Sequence, residues 1–367
     1  MILAKDKSMK KLLLVGFLSP LLILAACSQG SEDAQTVTAE LESEPALSGL
    51  YAQAIIPVTA DSFAQAETAS NFANWAKLGS DKEIFHYREA TPVGPEAPTV
   101  RMNWDTLYSN RIVNVADDHT FTIELPESEL YVSAHVVDEN GFAPYYIVEP
   151  GVHEVQIDTD YAWVLFRTEM LDRKSDEALK KSHEIQDKIV VRGIMEDSTY
   201  VTPNYDQDQL EALRQKYRQE AVETGADMVY AKEAGEVDQH RLNVSHAAGW
   251  GGMAPELHVS NTYPISKNMS GDVCRAITFE DPQNKFFTSF TLYDADGYLM
   301  EGDTHINSNM WEPNTDGTIT LHFNCGEDAI NNLSSGGKPF GYAIRNYGVS
   351  QKVLDGEFKP LKPEVVN

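Results

Sequence analysis

The spacing of hydrophobic and polar residues changes twice along this chain. From residue 49 to 80 it is helical. Ala and Leu are frequent, and Ala54, Phe63, Phe72 and Trp75 can share faces. Asp61 and Ser62 stand where they could cap a second short helix after Pro57. From Val100 the period becomes two. Phe121, Ile123 and Leu125 alternate with Thr120, Thr122 and Glu124, and Pro126 stops the run. Tyr131 to Val137 and Tyr161 to Arg167 are further predicted strands, rich in β-branched and aromatic residues. Asn140-Gly141 and Pro150-Gly151 are turn signals. Short strands at such close spacing predict a β-sandwich or barrel rather than a βαβ unit.

Residues 173–248 return to a helical period. Lys174 to Lys188 is helix-like, and Asp208-Gln-Leu-Glu211 fits a capping box, followed by Leu210, Leu213 and Tyr217 on one face. This polar segment reads as a helical connection between two β domains. Gly249-Trp-Gly-Gly252 begins a loop, and no strand-turn-helix spacing surrounds it. From Asp272 the strand pattern resumes. Phe286 to Tyr293 places Phe286, Phe290 and Leu292 on one face and Phe287 and Tyr293 on the other. Ile319, Leu321 and Phe323 alternate after the turn Thr315-Asp-Gly317. In Phe340 to Tyr347, Phe340, Tyr342 and Ile344 oppose Ala343 and Arg345. No repeat of short period is present. The prediction is a mainly β chain: an N-terminal helix plus sandwich over 49–172, a helical connection over 173–248 and a second sandwich over 249–367.

The first 48 residues belong to neither domain. Lys5, Lys7, Lys10 and Lys11 precede an apolar run from Leu12 to Ala26, the plan of a secretory signal over residues 1–26, with a tighter start at Met9. The run ends Leu24-Ala25-Ala26-Cys27, which resembles the lipobox of bacterial lipoproteins. That resemblance implies cleavage before Cys27 and acylation of its thiol and new amine. Several acyl chains, at about 0.8 kcal/mol per buried methylene, hold such a protein firmly on a membrane. Ser28, rather than Asp, follows the cysteine, which by resemblance to the enterobacterial sorting rule favours the outer membrane. Residues 27–48 are acidic, small and free of aromatics, as in a flexible tether.

Composition narrows the function. The chain has 367 residues, more than one average core accommodates. Its 56 acidic against 29 basic residues give a formal charge of −27, which excludes general nucleic-acid binding. Outside Cys27 only Cys274 and Cys325 remain, an even pair that an exported chain can join as a disulfide. Neither has the spacing of a redox or zinc site.

Val100-Arg101-Met-Asn103-Trp-Asp105-Thr106-Leu107-Tyr108-Ser109 resembles the Arg-x-Asn-x-Asp-Thr-x-Tyr-Ser core of the family called domain of unknown function 1254. Tyr293-Asp-Ala-Asp-Gly297-Tyr-Leu, the turn Asn314-Thr-Asp316-Gly317-Thr318 and Arg345-Asn-Tyr347 resemble its usual companion, domain of unknown function 1214. The loop Gly249 to Glu256 is similar to the linker between them. Together these cover most of residues 70–360. The resemblance implies tandem jelly-roll-like β-sandwiches and no particular activity. Two departures stand out. Asn332 to Lys338 replaces a Trp-Leu-Pro-Ala-Pro segment, and His305-Ile-Asn307 stands where an arginine is common.

Arg101, Asn103 and Asp105 alternate, so on an extended segment they share a face. An Arg fork beside a carboxylate makes a charge-assisted pair, Asn103 can orient either group, and Tyr108 adds a hydroxyl. Two roles fit. One is a buried polar latch. The other is a ligand site of Arg101, Asn103, Asp105 and Tyr108, where Arg101 binds an anion and Asp105 acts as base. His135, sharing a strand face with Tyr131 and Ser133, completes the catalytic candidates Asp105, Arg101 and His135. His153, His305 and His322 read as hydrogen-bonded strand residues. Tyr145-Tyr146 and Phe286-Phe287 read as core and rim packing before a sugar platform. No nucleophile elbow, zinc-protease helix, phosphate loop or dinucleotide fingerprint is present, and no spacing calls for a metal or cofactor. The expected protein is therefore lipid-anchored in the cell envelope and non-catalytic. It binds a small molecule or glycan or serves a structural role, with homo-oligomers one arrangement of such folds. The alternative is an envelope hydrolase with an Arg/Asp/His site.

Overall fold

Each run of alternating residues becomes a strand with its apolar side turned toward a second sheet. The computed structural model describes residues 54–97, 101–115, 118–195, 199–224, 231–248, 261–360 and 362–366. The predicted signal peptide, Cys27, the tether, Val100 and the loop Gly249 to Glu256 lie outside them. No described helix is long and apolar enough to cross a membrane.

The first sandwich comprises β1 (Phe85–His86), β2 (Thr106–Asn114), β3 (Thr120–Leu125), β4 (Val132–Asp138), β5 (Tyr145–Ile147), β6 (Gly151–Gln156), β7 (Tyr161–Glu169) and β8 (Val190–Arg192). One sheet runs β1-β2-β7-β4-β5 and the other β6-β3-β8. Phe121, Ile123 and Leu125 meet Val132, Ala134, Val136, Val164 and Phe166 between the sheets. The second sandwich comprises β9 (Asn261–Thr262), β10 (Arg275–Phe279), β11 (Phe287–Asp294), β12 (His305–Asn307), β13 (Ile319–Phe323), β14 (Asn332–Leu333), β15 (Phe340–Tyr347) and β16 (Glu364–Val365). Its sheets run β12-β11-β15-β9 and β14-β13-β10-β16. Phe290, Leu292, Tyr342 and Ile344 pack there against Ile277, Ile319, Leu321 and Phe323.

The two sandwiches share one strand order. Each contains the same run of four antiparallel strands, β2-β7-β4-β5 in one and β9-β15-β11-β12 in the other, and opposite it β3 pairs with β6 as β10 pairs with β13. Both are jelly-roll-like, as expected. The duplication has no counterpart of fixed period in the sequence, because a pairing order constrains which faces are apolar and not which residues occupy them.

The helices are α1 (Phe63–Ala76), α2 (Asp176–Gln186), α3 (Gln207–Thr224), α4 (Gln239–Ala248) and α5 (Gln351–Leu354). In α1, α3 and α4, Phe63, Leu210, Tyr217 and Val244 form a small core of their own. Buried Glu67 pairs with Arg214 at 2.7 Å beside it. Several predicted details shift. The helix expected over 49–80 is confined, within the described residues, to Phe63–Ala76. Ile56, next to Pro57, instead bridges Tyr205 in extended form. Helix α3 is capped by Asp206, whose Oδ1 accepts from the N–H groups of Asp208 and Gln209, two residues before the predicted box. The chain leaves its bridge to Ile56 there, so the helix can begin at once. Residues 173–248 are not wholly a helical connection, since Val190–Arg192 is the third strand of the smaller first-sandwich sheet. Phe286 packs with Phe287 and Tyr131 rather than with Phe290, because it precedes the strand and escapes its alternation.

Cys274 and Cys325 form the expected disulfide, tying the start of β10 to the end of β13 across 51 residues. A loop of that length stabilises by about 4 kcal/mol in the chain-entropy model. Replacing both cysteines by Ser should lower unfolding stability in urea by about 3–4 kcal/mol. Reductant should produce the same loss in the wild type and none in the double variant.

Candidate functional site

In the first sandwich, β2, β7 and β4 are buried on both faces along most of their length. The polar half of their alternation therefore does not face water. At one end the outer face is apolar, with Ile112, Val137, Trp163 and Leu165 under Phe72 of α1. At the other end it carries Tyr108, Ser133, His135, Arg167 and Glu169. That end meets the outer face of β12-β11-β15-β9, which presents His305, Ser289, Thr291, Tyr293, Arg345 and Tyr347. The result is a polar seam between two sandwiches.

Asp105 stands at one end of the seam, 2% exposed. Its Oδ2 accepts from Ser289 Oγ at 2.6 Å. His305 Nε2 lies 3.2 Å from Oδ1, off the line of a well-directed hydrogen bond. That contact is chiefly electrostatic. The imidazole is held by Thr291 Oγ1 on Nδ1 at 3.1 Å and stacks on Trp104 at 5.4 Å between centroids. Arg173 covers the indole, 4.0 Å from its ring centroid. Burial pushes the Asp105 carboxyl up, but His305, Arg345 and the Ser289 hydroxyl outweigh it and hold the group below the usual range. Arg345 donates to the carbonyls of Arg101 and Met102 at 2.9 and 3.1 Å and to the Tyr293 hydroxyl at 2.5 Å.

The predicted cluster divides here. Arg101 has φ +55° and an exposed side chain, so it does not alternate with Asn103 and Asp105. Its backbone is what serves, since its N–H donates to Gly297 at 2.7 Å. The guanidinium whose charge reaches Asp105 is Arg345, delivered by the last strand of the other sandwich. Asn103 is buried and accepts from the Asp105 N–H at 2.8 Å. Its amide donates to Thr106 Oγ1 at 2.9 Å and to Tyr347 hydroxyl at 2.6 Å. Tyr108 is half-buried at the other end of the seam, with Arg167 5.7 Å from its ring centroid. His135 is buried, tilted against Tyr146 at 5.4 Å, on the face shared with Tyr131 and Ser133 as expected. His153 binds the Glu149 carbonyl and His322 that of Ile330. Ser289 donates to the aspartate and not to the histidine, so Asp105 is the central member. A nucleophilic triad needs the imidazole in the centre.

At the second end of the seam the sequence had singled out Tyr108 and His135, but not Arg167 or Glu169. Arg167 is 4% exposed. Neither its Nε nor its Nη1 has a hydrogen-bond partner among the described residues. Tyr131 and Tyr146 hydroxyls are 2.5 Å apart, and the Asn261 amide nitrogen lies 3.2, 2.5 and 3.1 Å from the oxygens of Tyr131, Tyr146 and Tyr263. Glu169 accepts from the Tyr131 N–H at 2.9 Å. Burial, helped by the Asp105 charge and opposed by that hydrogen bond, pushes its carboxyl up to about 7. The one available signal was an arginine inside Tyr-Ala-Trp-Val-Leu-Phe-Arg167, a charge in an otherwise apolar strand. Among the described residues no group of three or more His, Cys, Asp or Glu could hold a metal ion.

No family model matches the chain. No curated protein matches it either. Solved structures do. The VPA0106 protein from Vibrio parahaemolyticus superposes with a TM-score of 0.62 at 16% identity, covering 84% of this chain and 98% of that one. At that identity the likeness shows the fold alone. An uncharacterized protein from Burkholderia cenocepacia gives a TM-score of 0.45 at 13% identity, covering 83% and 87%. A salicylate 1,2-dioxygenase from Pseudaminobacter salicylatoxidans gives 0.19 at 12%, covering 81% and 86%. The last two values carry no argument.

Two substitutions probe the electrostatics. Asp105→Asn strands Arg345 without its buried counter-charge and should cost about 3 kcal/mol in chemical unfolding. Glu169 binds its proton more tightly folded than unfolded, so its contribution is fully present below pH 4.5 and is lost as pH rises to about 7. Glu169→Gln should abolish that loss, leaving the variant about 2–3 kcal/mol more stable than wild type at pH 8. Urea titrations at pH 5 and pH 8 would read it, and an unchanged slope with pH would refute the assignment.

Proposed function

We propose that this chain is a lipid-anchored protein of the bacterial cell envelope, on the outer membrane, that holds a small ligand in the seam between its two sandwiches without converting it. The observation that carries the ligand-holding part is the seam itself: a deeply buried polar surface shared by both domains, in which Arg167 keeps Nε and Nη1 without a hydrogen-bond partner among the described residues. The observation that favours binding over conversion is that Ser289 donates to Asp105 Oδ2 instead of being activated by His305, whose imidazole lies against Oδ1. The anchoring part rests on the basic and apolar N-terminus and Cys27.

The likeness to domains of unknown function 1254 and 1214 belongs to the same proposal. The residues behind it meet across the seam. Asn103 bonds Tyr347, Tyr293 donates to the Met102 carbonyl at 2.8 Å, and Arg345 reaches the Arg101 carbonyl. Motifs 191 to 244 residues apart thus form one contact surface, which supports reading them as parts of one unit. His305, standing where an arginine is common, supplies the imidazole on Asp105.

A second reading, an envelope hydrolase, is favoured by one observation. Asp105 is held ionised while Glu169 is pushed up to about 7, and two carboxyls set apart in this way can serve as base and acid. A turnover screen over ester, glycoside and phosphoester substrates separates the readings. The binding reading expects no turnover above background. Turnover that vanishes in both Asp105→Asn and Glu169→Gln, with folding intact, would replace it with the hydrolase. Mass spectrometry of the membrane-extracted protein should find Cys27 as the first residue, carrying diacylglycerol on its sulfur, and an unmodified thiol there would end the anchoring proposal.

A further inference from the structure

The end of the seam away from Asp105 is rich in donors and poor in acceptors. Arg167 projects from the C-terminal part of β7, between Tyr108 of β2 and Ser133 of β4 in the register. Burial works against its charge, and the groups that act on it most are Tyr263, Tyr146, Tyr108 and Tyr131, not a carboxylate. Glu169, two residues along the same face, is spent on the Tyr131 N–H and is half protonated near pH 7. Asp105 is held by Ser289 and His305. Among the described residues, therefore, a fully buried guanidinium keeps Nε and Nη1 without an acceptor. Proteins seldom leave a buried charge in this state, because hydrogen bonds normally offset the cost of taking it out of water.

The surrounding hydroxyls point the same way. The Asn261 amide nitrogen lies within hydrogen-bond distance of the oxygens of Tyr131, Tyr146 and Tyr263, which share its two protons. One lone pair on these oxygens is thereby engaged from the second sandwich. Tyr131 and Tyr146 share a proton between them, and Tyr146 also donates to Ser133 Oγ at 3.4 Å, so of the three hydroxyls it is Tyr263 whose proton has no acceptor among the described residues. The Tyr108 ring, 5.7 Å from the guanidinium carbon, supplies a cation–π face but no acceptor. Arginine and phenol donors walled by aromatic rings are complementary to a planar anion on an apolar body. A cleft of about 130 Å³ nearby is lined by Leu130, Val132, Lys285 and Phe286 among others, and the Phe286 ring lies 4.9 Å from that of Tyr131.

We propose that Arg167, with Tyr108, Tyr131, Tyr146 and Tyr263 around it, is a binding site for a small carboxylate carried on an apolar or aromatic body. This rests on the seam-binding reading and adds the ligand's chemical class. Charge assistance and the planar match of carboxylate to guanidinium provide the selectivity.

The full-length protein in detergent is titrated with acetate and benzoate, with acetamide and benzamide as neutral matches, and with inorganic phosphate and a neutral oligosaccharide. Melting temperature and the tyrosine difference spectrum are followed. At least one carboxylate should raise the melting temperature and perturb the tyrosine bands, and its amide should do neither. Arg167→Met should lose the response at least tenfold while melting no lower than the ligand-free wild type, since it removes an uncompensated charge. Should Arg167→Met fail to fold, Tyr263→Phe serves instead and should weaken binding severalfold. Binding of phosphate alone, or of the oligosaccharide with Arg167→Met unaffected, overturns the carboxylate assignment and leaves the seam-binding reading standing. No response to any probe, with Arg167→Met melting well below wild type, overturns both.

Discussion

Everything distinctive in this molecule follows from burying charge between two sheets. Asp105 and Arg345 come from different sandwiches, and each is nearly sealed from water. A carboxylate in that position is tolerable only with partners, and it has Ser289, His305 and the Arg345 field. The guanidinium in turn is fixed by the carbonyls of Arg101 and Met102 and by Tyr293. Removing either charge leaves the other without its buried opposite, so the pair ties the two domains together alongside the aromatic contacts between them. The strap from Met102 to Asp105 is the part of the first sandwich that delivers this contact, and its turn is locked by Asn103.

Polar burial on this scale specifies geometry more sharply than an oily interface would. Apolar faces can slide past one another with little loss. A seam in which Asn261 must meet three tyrosine oxygens has one register. The same low-polarity surroundings that sharpen these bonds make Arg167 conspicuous, since its Nε and Nη1 have no hydrogen-bond partner among the described residues. The two ends thus differ in kind. The Asp105 end is satisfied and structural, and the Arg167 end is complementary to something with negative charge.

Much of the architecture was legible beforehand. Phe121, Ile123 and Leu125, or Ile319, Leu321 and Phe323, declare their strands and their inward faces by period alone, and they occupy the two cores as expected. The even cysteine pair declared its bridge. The helix ends were less legible, because the cap of α3 depends on a bridge between Ile56 and Tyr205, which no local pattern announces. In the candidate site, Asn103 and Asp105 were found because they lie close together in a recognisable motif. Arg101 was assigned the wrong part because a left-handed residue breaks the alternation that a strand would impose.

By itself, then, the sequence determined the sheets, their apolar sides and the disulfide, since these depend on periods and pairings that neighbouring residues report. Only the tertiary structure decided what the polar half of each strand faces. Ser133, Arg167, Ser289 and Arg345 alternate as solvent-facing residues do, and they are buried because a second sandwich covers them. Alternation records which side of a sheet a residue occupies. It carries no information about whether water or another sheet lies on that side, because that depends on contacts between segments more than a hundred residues apart.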